Sequence, residues 1–221
     1  MLFDLRSRGR RRTVQVVYLG LALLMGGGLV LFGVGTGQSG GGLLDAFGGG
    51  GGGSAQSGAA SQAETAALKQ VKQNPNNAQA WGNLLQARWG AAINDVGPSG
   101  FTTAGKTELG RAIQAWDRYV QLSPTPDPTL ATLAARAYAS LGNYAGAATS
   151  WELEAASSPN APKGYECLAV NAYAAGETRK GDLASAKTLK LTPKLSQITT
   201  KLLLTQAKSS NTTARNIAAQ C

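Results

Sequence analysis

Residues Pro128–Pro159 read PTLATLAARAYASLGNYAGAATSWELEAASSP. Apolar and small side chains recur here three and four residues apart, the spacing of one face of an α-helix. The run breaks at Gly142-Asn143 and again at Pro159. Glycine accepts the left-handed backbone that closes a helix and proline cannot continue one. The stretch therefore predicts two helices joined by a tight turn.

The same frame recurs outward from it. Ala147 and Trp151 stand four apart with Pro159 eight further on, and Ala112 and Trp116 stand in the same relation to Pro124. Tyr138, Gly142 and Tyr144 follow Ala134 by four, eight and ten residues. A further unit continues with Tyr165, Leu168, Ala169, Gly176, Gly181 and Pro193, and an earlier one opens with Trp81, Leu84 and Leu85. The intervals Pro124 to Pro159 and Pro159 to Pro193 are 35 and 34 residues, the period of stacked helix–turn–helix units.

These residues resemble the tetratricopeptide repeat (TPR), whose frame is W-x-x-L-G-x-x-Y, then G-x-Y-x-x-A-x-x-x-F, then P. The resemblance covers Gln62 to Pro193 and implies an all-α, TPR-like helical-hairpin solenoid over residues 62–221. Small residues at Ala135, Ala147, Ala169 and Gly181 would let paired helices approach, while Trp116, Tyr138 and Trp151 fill the gaps between units. Ala131 and Ala134 depart from the frame, standing where the family usually has Trp and Leu. After Pro193, ITTKLLLTQAK and TTARNIAAQ predict two helices that cap the open end of the stack.

The family further implies a groove, lined by first helices, that holds a protein or peptide partner. Its positions here would be Gln86, Trp89, Thr132, Arg136, Lys163, Glu166 and Tyr173, with Arg136 and Lys163 facing an acidic segment. The Lys and Asn set that clamps a C-terminal carboxylate in chaperone-binding members is absent. Self-association into a homo-oligomer is also compatible with such a stack.

Ahead of the repeats the composition changes. Val14–Val34 is a run of 21 residues without a charge; as a helix it is ~31 Å long, matching the ~30 Å hydrocarbon core of a bilayer. Arg6, Arg8, Arg10, Arg11 and Arg12 precede it, so the positive-inside rule places residues 1–13 in the cytoplasm and the repeats outside it. The run is longer than the apolar core of a signal peptide, and no A-x-A site follows, which favours an uncleaved anchor. Residues 35–61 form a Gly/Ser/Ala tether with a mean reach of ~29 Å. The whole most resembles bacterial membrane-anchored TPR proteins of secretion, envelope assembly or cytochrome maturation.

Composition excludes much else. The net charge of +9 is unevenly spread: five arginines stand against one aspartate in the first 13 residues, while the much longer stretch beyond residue 60 has 16 basic and 10 acidic residues and is only mildly positive. No block interleaves Lys/Arg with aromatics, so no nucleic-acid partner is expected. The chain has no histidine, which removes the commonest general base and metal ligand. The acidic pair Glu152/Glu154 points to different sides of a helix. No catalytic, cofactor-binding or metal-binding residue is assigned. Cys167 and Cys221 fall on the outward side, where disulfides persist. On the family frame they approach one edge of the stack. They are either bonded or a small buried residue and a terminal thiol.

One motif points elsewhere. Gly100–Thr107, GFTTAGKT, matches G-x-x-x-x-G-K-[ST], the phosphate-binding loop, which would make the protein a nucleotide binder. That loop needs a buried parallel strand before it, and WGNLLQARWGAAINDVGPSG predicts a helix and then a turn-rich loop. Trp81 and Ala112 lie 31 residues apart, where the TPR frame implies 16. GFTTAGKT is thus read as part of an insertion of about 15 residues by that comparison, with Thr102 or Thr103 capping the following helix and Gly100 and Gly105 as loop residues.

Overall fold

A computed structural model of the chain describes residues 53–221, with side-chain surroundings from Gln62 onward. The predicted span at residues 14–34 and its flanking arginines lie outside the described residues. Among the described residues no helix is long and apolar enough to cross a membrane.

The described chain is all-α apart from one small ribbon. Its helices are α1 (Gly53–Gln73), α2 (Ala78–Asn94), α3 (Thr103–Leu122), α4 (Pro128–Ser140), α5 (Tyr144–Ser157), α6 (Pro162–Ala174), α7 (Thr178–Leu191), α8 (Gln197–Ser209) and α9 (Asn211–Ala218). Helix α1 begins at Gly53, nine residues inside the stretch read as tether. Its Ala-, Gln- and Glu-containing sequence favours helix over coil despite the glycines.

Local chemistry sets most boundaries. The Asn77, Thr102, Asp127, Asn143 and Ser210 side chains each accept a hydrogen bond from the first turn of their helix, satisfying donors that no helical carbonyl reaches. Pro128 and Pro162 start α4 and α6, where the missing N–H costs nothing. Gly142 and Gly176 close those helices at φ of 77° and 81°. The N–H of Asn143 reaches back to the Tyr138 carbonyl and that of Glu177 to the Ala172 carbonyl, the 6→1 bond of a left-handed glycine cap.

Helices pack in consecutive pairs, α2 with α3, α4 with α5 and α6 with α7, and α5 packs on α6. Alanines dominate the interfaces: Ala112, Ala131, Ala134, Ala135, Ala147, Ala148 and Ala169 are fully buried. Small side chains let helix axes approach, and the larger ones that remain carry the apolar burial. Trp116 and Trp151, 3% and 4% exposed, are the bulkiest of these; such residues contribute about 3–5 kcal/mol over alanine. Trp116 stacks on Tyr119 at 5.6 Å. The Tyr119 hydroxyl accepts from the Asp127 N–H at 2.9 Å, which ties the end of one hairpin to the start of the next.

The insertion between α2 and α3 is only partly a loop. These helices have 17 and 20 residues, against 13 and 14 in α4 and α5. Between them β1 (Val96–Gly97) pairs antiparallel with β2 (Gly100–Phe101). Pro98 and Ser99 turn the ribbon, and Gly100 supplies the positive φ of 102° that follows.

Both glycines of GFTTAGKT thus have backbone reasons. Gly105 lies inside the first turn of α3, not in a loop, and a Cβ there would stand 2.8 Å from the Asp95 carbonyl oxygen. Its N–H is taken by the Thr102 hydroxyl at 3.2 Å, and that of Lys106 by the Thr102 carbonyl at 2.9 Å. Among the described residues no parallel strand leads into this turn.

Candidate functional site

The C-terminal helices do not simply cap the stack. Helix α8 packs on α6 and α7, but α9 folds back onto α6 and α8. Ala214 and Ala218 of α9 are buried in the same core cluster as Cys167, Ala169 and Val170 of α6. A short helix can approach α6 closely here because its buried side chains, Ala214 and Ala218, add little bulk.

Cys167 is bonded to Cys221, with Cα atoms 5.7 Å apart. Cys167 is fully buried in the middle of α6, so the pair meets across the α6–α9 interface rather than at an edge of the stack. One turn on, buried Asn171 donates its side-chain amide to the Cys167 carbonyl at 2.8 Å.

The end of α9 reaches a second hairpin. Arg136 on α4 donates from Nε to the Cys221 carbonyl at 3.0 Å. Beside this contact lies a cleft of about 340 Å³, walled by α4, the start of α5 and the end of α9, with Trp89 of α2 at one side. The Arg215 guanidinium stands over the Tyr144 ring at 5.5 Å. Trp89 is set edge-on to Phe101 at 6.3 Å, so the ribbon supports the indole. Two guanidinium groups and two aromatic rings line the cleft, and its lining includes no carboxylate side chain.

Of the seven groove positions taken from the family frame, the structure brings Trp89 and Arg136 to this cleft. Gln86, Thr132, Lys163 and Glu166 are not among its lining residues. The Thr132 hydroxyl donates to the Pro128 carbonyl at 3.0 Å, and Lys163 pairs with Glu166 at 2.9 Å. Tyr173 does not face a groove. It is 5% exposed, its ring lies against Gly181, and its hydroxyl meets Asp182 at 2.8 Å and Ser185 at 3.0 Å. Burial pushes its pKa up to about 12, with the Ser185 bond opposing and the Asp182 carboxylate reinforcing the shift.

Tyr144, Arg215 and Cys221 complete the cleft, and sequence reasoning does not bring them there. In the sequence Tyr144 belongs to the repeat frame and Arg215 to a capping helix, and no local signal joins the two. Glu152 and Glu154 do diverge: Glu152 approaches Lys180 at 3.7 Å, while Glu154 turns toward Gly164.

No family model matches this sequence, and no curated protein matches it. The cleft's chemistry stands on its own geometry.

Proposed function

We propose that the protein is a membrane-tethered, TPR-like scaffold that holds an acidic segment of a protein partner in the cleft between α4 and α9. The 34- and 35-residue spacing of prolines and the paired helices closed by Gly142 and Gly176 support the TPR-like reading. The tether rests on the uncharged run Val14–Val34 and its arginine flank.

One observation carries the ligand class. Arg136 and Arg215 share a cleft whose lining includes no Asp or Glu, and neither pairs with an Asp or Glu among the described residues, Arg136 donating instead to the Cys221 carbonyl. Guanidinium groups bind carboxylates by paired N–H donors, and Trp89 and Tyr144 supply apolar surface beside them. An extended peptide with Asp or Glu next to an apolar residue matches this arrangement.

Titration of the purified full chain in detergent with a fluorescent Glu/Leu peptide tests the reading. Binding should weaken with salt and fall about tenfold in Arg136→Ala, the loss of one charge-assisted contact. Equal affinity for a Gln/Leu peptide would sink it. Crosslinking in cells and recovery of the chain with itself alone would point to self-association instead.

A further inference from the structure

Helix α8 is apolar on two opposite sides. Leu204 and Ala207 are buried, and α8 packs on α6 and α7. Leu195, in the turn leading into α8, is 97% exposed, Ile198 82% and Leu202 57%. Ile198 and Leu202 stand four apart on α8 and share a face turned away from the core, and Leu195 is exposed in the 3-10 turn Lys194–Ser196 just ahead of it. Large aliphatic side chains exposed together on one side of a helix mark an interaction surface.

Charge indicates what the surface meets. Residues 183–221 contain Lys187, Lys190, Lys194, Lys201, Lys208 and Arg215 and no Asp or Glu. Lys201 and Lys208 stand seven apart on α8, two helical turns, and so lie along one side of it, with Lys194 beside Leu195 in the turn ahead. Lys208 is paired with Asp182 at 2.7 Å; Lys190, Lys194 and Lys201 form no ion pair among the described residues. A second copy of the same patch would bring lysines against lysines, which disfavours self-pairing.

We infer that the Leu195/Ile198/Leu202 patch, together with Lys194 and Lys201, docks the domain on an anionic membrane surface. Large aliphatic side chains enter the headgroup boundary while lysines bind anionic headgroups, the pattern of an interfacial helix. The tether reading of Val14–Val34 adds proximity: a domain held near the bilayer needs only a weak patch to dock. The patch is distinct from the α4/α9 cleft, so a partner could be held while the domain lies on the membrane.

The full chain reconstituted in phosphatidylcholine vesicles, with and without about one-third phosphatidylglycerol, tests this by hydrogen exchange of residues 194–209. Anionic lipid should slow exchange there about tenfold. Leu195→Gln/Ile198→Gln and Lys194→Glu/Lys201→Glu should each abolish the difference. Both pairs are exposed, and unchanged melting of the variants would show that the fold is intact. Equal exchange with both lipids, or a difference that survives both variants, overturns the inference. Protection that grows with protein density in pure phosphatidylcholine would overturn it in favour of self-association. Protection by soluble polyglutamate but not by anionic lipid would overturn it in favour of an acidic protein. Flotation with pure phosphatidylcholine vesicles reports the anchor separately, so loss of the tether reading would not be confused with loss of docking.

Discussion

The ring of Tyr173 lies over the bare α-carbon of Gly181, as the ring of Tyr138 lies over that of Gly146. In each hairpin a first-helix tyrosine occupies the place a second-helix side chain would take. Tyr173 is further held by Asp182 and Ser185, so it cannot yield to an added methyl. Gly181→Ala should cost about 1–3 kcal/mol by overpacking. Gly90 and Gly110 sit in α2 and α3, where an added Cβ would meet nothing within 4 Å. Gly90→Ala and Gly110→Ala should therefore each add about 0.5–1 kcal/mol of helix propensity. Urea melts of the three variants read both signs, and destabilisation by all three would contradict the packing assignment.

The Cys167–Cys221 bond closes a loop of sequence separation 54. By loop-closure entropy, its removal should lower stability by up to about 4 kcal/mol. The loss should be local first. In Cys221→Ser, α9 amides should exchange faster than those of α2 and α3, and the Arg136 contact to residue 221 should weaken. Hydrogen exchange on oxidised and reduced protein checks this; uniform acceleration across all helices would show that α9 is not a separable unit.

Helix starts offer a paired test. Asp127 accepts from the Thr129 N–H at 2.7 Å and the Leu130 N–H at 3.2 Å, whereas the residue ahead of α6, Ala161, offers no side-chain cap. Asp127→Ala should cost about 1 kcal/mol, and Ala161→Asp should return a similar amount. Thermal melts of the single and double variants measure both. The residues are on different helices, so the two changes should nearly cancel.

Two carboxylates should give opposite pH signatures. Burial raises the Glu154 pKa above its ordinary value of 4.5, and its Oε2 is buried without a partner. Folding therefore favours its protonated form: the stabilising contribution is full below 4.5 and is lost as pH rises through the folded value. Glu154→Gln should be more stable than the parent at pH 7, with the gap closing in acid. Asp182 behaves in reverse. The Lys208 hydrogen bond, then that of Tyr173, hold it below 3.8, so its contribution is present above that pH and fades as pH falls. Asp182→Asn should lose stability at pH 7 and little in acid. Denaturant midpoints from pH 3 to 8 separate the cases.

Much of the architecture is written locally. Gly142 and Gly176, Pro128 and Pro162, and the caps at Asn77, Thr102 and Asp127 act through neighbours a few residues away, so helix existence and most boundaries follow from sequence alone. The same holds for GFTTAGKT: the absence of a strand pattern ahead of it is legible, and Thr102 caps α3. That Gly105 is needed by the Asp95 carbonyl is not legible, because that contact depends on how the ribbon returns the chain.

Tyr173 shows the limit most clearly. Gly142 follows Tyr138 by four residues and Gly176 follows Tyr173 by three; Gly146 then follows Gly142 by four and Gly181 follows Gly176 by five. A one-residue offset on a single helix turns a side chain by about 100°, which is why the repeat frame puts Tyr173 in a groove. Here α6 and α7 are offset together, and the tyrosine still meets its glycine. Periodicity determined that these segments are helices and where they break. Only the tertiary structure decided which face of α6 receives α9, and hence that Cys167 meets Cys221 and that Arg136, Tyr144 and Arg215 share one cleft. Docking of a short alanine-faced helix depends on shape matched between residues more than forty positions apart, and no local pattern encodes that match.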